Sequence, residues 1–276
     1  MLKLLIAAAI TLIASYVNAQ ETSGRMAMKI VNNDLFVEAY VNGNGPFNFL
    51  VDTGASGMGR IDERIVKELG LTTSDSTKNF DGSGKYNVVP VFTVSSLRVA
   101  ELAEQNVELL SRNYNGNRSN GRMLIDGIIG RDFFREYLLT IDSRRREITY
   151  SRDSLHTADH GVVPYQDGFE INAMVGDTSV VLHIDTGSTL TLHFPKSVMD
   201  RLSHTDTKNK SIARRANSEY FIQQTLLHSP VNVSSVKIEN LLVDYSEQAK
   251  FINVGMGFLK NYKLTIDQKR QLLKIE

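Results

Sequence analysis

The chain has 276 residues, of which 42% are hydrophobic, and its acidic and basic side chains balance to a formal net charge of +0. This hydrophobic content suffices for folded domains with their own cores and argues against intrinsic disorder. The neutral balance provides no long-range field towards nucleic acid, so no nucleic-acid partner is expected. The absence of cysteine excludes disulfides, thiolate metal sites and a cysteine nucleophile.

The first 19 residues have the pattern of a secretory signal peptide. Lys3 precedes an apolar run from Leu4 to Ala14, and small or medium side chains stand three and one positions before Gln20. A membrane anchor is the alternative, but the run is shorter than the roughly 20 residues that cross a bilayer. We therefore expect cleavage after Ala19, export to a periplasm or the extracellular space, and no membrane contact of the mature protein.

The two halves of the chain carry the same features in the same order. Residues 47–56 and residues 179–189 are both β-rich apolar runs that lead into Asp-Thr-Gly. A helical pattern follows each turn, from Ile61 to Gly70 in the first half and from Pro195 to Leu202 in the second. Further along, residues 94–99 are echoed by residues 233–238, and each segment is predicted to be a strand.

The ends of the two halves match as well. Residues 129–142 parallel residues 254–267, with Gly, Phe, Tyr, Leu, Thr, Ile and Asp recurring in register. A tandem duplication explains the repetition. The repetition predicts two units, residues 20–155 and residues 156–276, with a polar connector over residues 151–160.

The repeated Asp-Thr-Gly predicts chemistry. A repeated structural turn is the alternative, because turns favour Asp and Gly, but both copies follow an apolar strand at equivalent points of the repeat. Two facing carboxylates cannot both ionise cheaply, so they share a proton and titrate as a pair. We predict that Asp52 and Asp185 form such a catalytic pair, and that the hydroxyls of Thr53 and Thr186 hydrogen-bond across the junction.

These motifs resemble those of pepsin-like and retropepsin-like aspartic proteases, and the resemblance extends over both halves. It implies a cleft between two all-β lobes, a water held by the two aspartates, and a β-hairpin flap over the substrate. It assigns active-site support to Thr53, Gly54, Thr186 and Gly187. The family's second motif, two apolar residues and a glycine, is matched at residues 128–130, whereas the aligned residues 253–255 begin with the polar Asn253.

The flap is predicted at residues 80–86, which combine a Gly-x-Gly turn with a following strand. Within it, Gly82, Ser83, Gly84 and Tyr86 are the candidate substrate-binding residues. The second half has no equally glycine-rich segment near residues 215–220, so a single working flap is expected.

The predicted function is that of an aspartic endopeptidase acting on polypeptides, as a monomer with pseudo-twofold lobes and without a cofactor. The alternative is an exported peptide-binding module that keeps this fold without turnover, although a pure binder has no reason to keep two facing carboxylates. No metal site is predicted. The six histidines invite one, but His156 and His160 lie in the connector, and His183 and His193 flank the second turn without a pattern of carboxylate ligands.

Overall fold

The computed structural model describes residues 23–80, 84–116, 122–214 and 219–276. The predicted signal peptide, residues 1–19, lies outside these ranges. Within them, no helix combines the length and the apolar character that crossing a membrane requires.

Strands dominate the first half of the chain, and short helical segments follow two of them. Their bounds are β1 Ser23–Ala27, β2 Lys29–Val31, β3 Asp34–Val41, β4 Asn44–Asp52, β5 Gly59–Asp62, α1 Glu63–Glu68, β6 Asp75–Phe80, β7 Tyr86–Val99, β8 Leu102–Arg112, β9 Gly127–Gly130, a 3₁₀ helix Arg131–Phe134, β10 Leu138–Asp142 and β11 Glu147–Ser151.

The second half repeats this arrangement with somewhat shorter elements. Their bounds are β12 Val162–Pro164, β13 Glu170–Val175, β14 Thr178–Ile184, β15 Leu192–Pro195, α2 Lys196–Met199, β16 His204–Arg214, β17 Glu219–Leu227, β18 Val231–Val233, β19 Val236–Ile238, β20 Leu241–Ser246, β21 Ile252–Val254, α3 Met256–Leu259, β22 Lys263–Asp267 and β23 Leu272–Ile275. The predominance of strands confirms the all-β prediction.

The strands form three sheets. The first half builds an eight-stranded sheet in the order β2-β3-β4-β9-β5-β8-β7-β6, and the second half builds a nine-stranded sheet in the order β16-β17-β20-β15-β21-β14-β13-β18-β19. Read from opposite ends, the two orders correspond, with β4, β9 and β5 equivalent to β14, β21 and β15. The two halves therefore share one topology, as expected of a duplication.

Both halves contribute to the third sheet, whose order is β1-β11-β10-β22-β23-β12. Its two central strands pair antiparallel so that Thr140 faces Thr265, and the two hydroxyl oxygens lie 3.2 Å apart. These threonines are equivalent in the repeat, so the approximate twofold axis passes between them. The connector predicted at residues 151–160 runs between β11 and β12, where the amide of Leu155 donates to Asp267 Oδ2 at 3.1 Å.

Short helices follow the aspartate turns, as the sequence predicts, in the form of α1 and α2. The N-cap of α1 is Asp62, whose side chain accepts from the amide of Arg64 at 2.9 Å. Just beyond its C-terminus, Gly70 has a φ of +61°, a conformation that glycine adopts at no steric cost. The predicted closure at Gly70 is thereby explained.

A second hairpin occupies the edge of the C-terminal sheet, at the position that β6 and β7 hold in the N-terminal sheet. Strands β16 and β17 pair antiparallel, with Ile212 opposite Phe221. The second lobe therefore has a hairpin at the equivalent place, although it lacks the glycine-rich turn; the expectation of a single working flap stays a prediction. This hairpin is defined by backbone hydrogen bonding between two long strands. Its residues 215–218 lie outside the described ranges.

The prediction of a single strand at residues 233–238 is wrong. These residues form the end of β18, a turn, and β19, which pair with each other across Ser234 and Ser235. Ser234 has a φ of +53°, and Ala100, between β7 and β8, has a φ of +50°. The segment therefore corresponds to the turn after residues 94–99, and the apparent sequence echo is out of register.

The shared sheet provides a test of what holds the halves together. Ile266 is fully buried and pairs with Leu139 across the centre of this sheet. We expect Ile266→Ala to lower the free energy of unfolding by about 2–5 kcal/mol, because the cavity cannot close. Urea denaturation measures the change, and the control is Arg25→Ala in the same sheet, whose side chain is 80% exposed. A loss no larger than the control's would show that the shared sheet contributes little.

Candidate active site

The two aspartates stand at the ends of equivalent strands. Asp52 is the last residue of β4 and lies beside Gly130 of the parallel neighbour β9. Asp185 directly follows β14, and its amide donates to the carbonyl of Val254 in the parallel neighbour β21 at 2.9 Å. In each lobe a strand with a buried apolar face therefore delivers a carboxylate to the junction between the lobes.

Glycine follows each Asp-Thr pair because the opposite carboxylate comes close. A methyl group at Gly54 would lie 2.8 Å from Oδ1 of Asp185, and one at Gly187 would overlap the carboxylate of Asp52. No other residue fits at either place without displacing a carboxylate. The structure thus brings the four predicted residues Asp52, Gly54, Asp185 and Gly187 into one site.

The buried threonines cross-link the two turns. The Thr53 hydroxyl donates to the carbonyl of Ile184 at 3.0 Å and accepts from the amide of Thr186 at 3.0 Å. Reciprocally, the Thr186 hydroxyl donates to the carbonyl of Val51 at 2.7 Å and accepts from the amide of Thr53 at 3.0 Å. The predicted hydrogen bonds across the junction are confirmed, and they fix the distance between the turns.

Backbone amides also hold the carboxylates. The amide of Ala55 donates to Asp52 Oδ1 at 3.0 Å, and that of Gly187 donates to Asp185 Oδ1 at 2.9 Å. Asp185 has an additional side-chain donor, because Nδ2 of Asn253 lies 2.9 Å from its Oδ2. The polar departure from the second motif therefore contacts the site directly.

The two carboxylates influence each other's ionisation. Burial and the neighbouring Asp185 raise the pKa of Asp52 from 3.8 to about 7, although the Arg60 guanidinium and the backbone amides oppose the shift. A carboxyl group with such a pKa still carries its proton at mildly acidic pH, beside a second carboxylate. One pair of side chains can then act as both acid and base.

Close packing explains why the second motif ends in glycine in both lobes. A methyl group at Gly130 would overlap the carbonyl oxygen of Gly57, and one at Gly255 would lie 2.6 Å from the carbonyl oxygen of Ser188. Each motif passes directly behind the turn that carries the aspartate. The amide of Met256 also donates to the carbonyl of Ser188 at 2.7 Å, which anchors the second turn.

Sequence reasoning missed Arg60, a buried cation near Asp52. Its Nη1 donates to the carbonyls of Ser56 at 2.8 Å and Gly59 at 3.0 Å, which keeps the charge beside the first turn. The equivalent residue of the second lobe is His193, whose Nε2 lies 3.0 Å from Ser246 Oγ. The available sequence signal was a basic or titratable residue at the same place in both repeats, Arg60 and His193, between the aspartate turn and the following helix.

His183 was weighed as a metal ligand but lies two residues before Asp185, next to the site. Burial lowers its pKa, while the charges of Asp185 and Glu170 oppose that shift. Its ring packs against Phe251, with the ring centres 5.1 Å apart. Burial therefore disfavours the charged form of the imidazole beside the second carboxylate.

The predicted flap residues are only partly described. Gly82 and Ser83 lie outside the described residues. Gly84, with a φ of +84°, sits where an added methyl group would come 3.6 Å from Nζ of Lys250, so the hairpin tip approaches the second lobe. Tyr86 is 51% exposed and stacks obliquely on Phe80 at 5.2 Å. The structure does not join Tyr86 to the aspartates by any described hydrogen bond.

Comparison with known proteins bears on the first lobe. Residues 37–133 match a family model described as aspartyl protease. This match supports the aspartic protease family. It includes Asp52, the flap segment and the second motif at residues 128–130. No curated protein matches the chain.

The cross-link between the turns should be essential to stability. We expect Thr53→Val to lower the free energy of unfolding by about 2–4 kcal/mol, because it leaves a buried amide and a buried carbonyl without partners. Thr53→Ser keeps the hydroxyl and is the matched control, with a smaller loss from the missing methyl group. Denaturant titration of both variants compares them, and equal losses would assign the effect to the methyl group.

The raised pKa of Asp52 predicts a pH-dependent stability. The folded protein holds this proton up to a pH of about 7, whereas an unfolded aspartate releases it near 3.8. The stabilisation is therefore complete at low pH and is lost as the pH rises towards and through 7. Asp52→Asn cannot lose a proton, so its stability relative to the wild type should increase between pH 4 and pH 8. Urea denaturation at several pH values measures the difference, and a constant difference would contradict the assignment.

Proposed function

We propose that this chain is an exported aspartic endopeptidase. The observation that carries the proposal is the facing pair Asp52 and Asp185, fixed by reciprocal hydrogen bonds between Thr53 and Thr186. Facing carboxylates are costly to keep in a binding module, because their repulsion must be offset elsewhere. They are what hydrolysis of an amide without a covalent intermediate requires.

In the proposed reaction, the ionised carboxylate removes a proton from a water molecule, which attacks the scissile carbonyl carbon. The protonated carboxyl group hydrogen-bonds the carbonyl oxygen and stabilises the negative charge that develops there. The amine then leaves with a proton from the pair, which restores one shared proton. The hydroxyls of Thr53 and Thr186 take no part in these proton transfers. Their hydrogen bonds across the junction can therefore hold both carboxyl groups in place throughout the reaction.

Partly buried apolar side chains beside Asp52, which pack on a buried apolar cluster, favour a peptide with an apolar side chain next to the cleaved bond. Leu50 stands two residues before Asp52 and packs with Phe36, Ile125 and Ile128 in a separate cluster. This cluster also contacts Ala55, directly after the first turn. The hairpin of β6 and β7, which reaches Lys250, would cover the bound peptide.

The proposal extends to location and assembly. The pattern of the first 19 residues supports export with cleavage after Ala19, to a periplasm or to the extracellular space. Because one chain supplies both aspartates, a monomer contains the complete site. The proposed partner is a polypeptide substrate, without a cofactor or nucleic acid.

The first test is cleavage of a mixed peptide library by the mature protein from acidic to neutral pH. Asp52→Asn and Asp185→Asn should each reduce the rate by at least about 1,000-fold, because each removes one half of the acid-base pair. The matched control is Asp177→Asn, which changes an exposed aspartate in the turn between β13 and β14. The control should cleave like the wild type.

Mutational and inhibitor results together separate the two functions. Loss in both active-site variants, with inhibition by a peptide analogue bearing a hydroxyl in place of the scissile amide, would support the protease. A folded wild-type protein that binds peptides but cleaves none at any pH would favour the non-catalytic peptide-binding module instead.

A further inference from the structure

The pair of aspartates sits in an asymmetric environment, although the two lobes share one topology. Ile128 and Asn253 occupy equivalent places, since Ile128 pairs with Arg60 of β5 and Asn253 pairs with His193 of β15. The isoleucine side chain belongs to the apolar cluster beside Asp52. The asparagine side chain instead donates from Nδ2 to Asp185 Oδ2 at 2.9 Å.

A purely structural role does not explain this asparagine. Its Oδ1 is buried and, among the described residues, has no hydrogen-bond partner. A buried acceptor without a partner costs free energy, whereas a hydrocarbon fits the same position in the first lobe. The amide is thus retained at a cost, and its one hydrogen bond is to a carboxylate of the site.

We infer that Asn253 is a positioning residue that localises the negative charge on Asp185 and leaves the shared proton on Asp52. A donor aimed at a carboxylate oxygen favours the charged form of that carboxylate. Asp185 accepts from a backbone amide at one oxygen and from Asn253 at the other. The inference rests on the proposed function, because it divides the acid and base roles between two known positions.

The other charged groups around the pair do not supply this asymmetry. Arg60 favours ionisation of Asp52, but its described hydrogen bonds go to backbone carbonyls. On the other side, the partly buried His183 faces Asp185, Glu170 and Arg131, and burial lowers its pKa and so disfavours its positive charge. Tyr114 lies near Asp52 and Arg60, and burial raises the pKa of its phenol, so it remains neutral. Among the described side chains, Asn253 is the one that donates a hydrogen bond to a carboxylate of the pair.

The raised pKa of Asp52 agrees with this division. Asp185 then removes the proton from the attacking water, and Asp52 hydrogen-bonds the carbonyl oxygen in the first step. Productive binding would need the scissile carbonyl to face the first lobe, on the side of the apolar cluster. Asn253 thereby sets the orientation of the reaction across the pseudo-twofold axis.

The test replaces the amide by the hydrocarbon found at the equivalent position. In Asn253→Ile, the first titration step of the pair should move to higher pH by roughly one unit, the size of one lost hydrogen bond to a carboxylate. The measurement is ¹³C NMR of carboxyl-labelled aspartate across pH, with the two resonances assigned from Asp52→Asn and Asp185→Asn. Asn253→Val, closer to asparagine in volume, repeats the test in case the isoleucine variant fails to fold.

A reciprocal variant makes the test specific. Ile128→Asn adds a donor beside Asp52, so it should lower the upper titration step, which belongs mainly to Asp52. In the double variant with Asn253→Ile, the two resonances should exchange their order of titration. A structural role for Asn253 alone would change stability in these variants but leave both titration steps in place, and that result would overturn the inference.

The titration also separates this inference from the proposed function. For an active wild type, the acidic limb of the profile of kcat/KM against pH should move with the first titration step in Asn253→Ile. If no peptide is cleaved under any condition but the NMR steps shift as described, the protease proposal fails while the charge assignment stands. If cleavage is found and neither the NMR steps nor the acidic limb moves, the protease stands and the role of Asn253 fails.

Discussion

The reciprocal hydrogen bonds of Thr53 and Thr186 are the constraint on which the site depends. Two carboxylates at close range repel each other when both are charged, so the turns that carry them would separate without a cross-link. Each hydroxyl donates to the opposite lobe's strand and accepts from the opposite threonine's amide. Both side chains are buried, so these bonds are protected from exchange with water.

The shared six-stranded sheet supports the same geometry from a distance. Its central strands meet about the pair Thr140 and Thr265, so the approximate twofold axis that relates the aspartates also relates the sheet. The lobes are therefore joined by backbone pairing in this sheet and by hydroxyl bonds at the turns, in addition to single hydrogen bonds such as that from Asn33 Nδ2 to the carbonyl of Thr189 at 2.8 Å. A rigid-body displacement of one lobe would have to break all of these.

Local patterns predicted much of this arrangement, because each had a local physical cause. Asp-Thr-Gly ends a buried strand at a tight turn, and helices α1 and α2 begin where the caps Asp62 and Pro195 stand. Errors arose where tertiary pairing decides. The β16 and β17 hairpin follows from its backbone pairing and not from glycine content. Arg60 has a role only because β5 pairs antiparallel with β9, the neighbour of the strand that carries Asp52. The amino-acid composition of a segment does not show which distant residues strand pairing brings next to it.

The positions at which the repeats differ are as informative as those at which they agree. Shared residues build a symmetric frame, in which the two aspartates would hold one proton equally. Amide hydrolysis needs them to differ, since one must accept a proton while the other donates a hydrogen bond. The unlike pairs Ile128 with Asn253 and Arg60 with His193 flank the two carboxylates. In the proposed reaction, the differences between the repeats therefore lie where the symmetric frame has to distinguish one carboxyl group from the other.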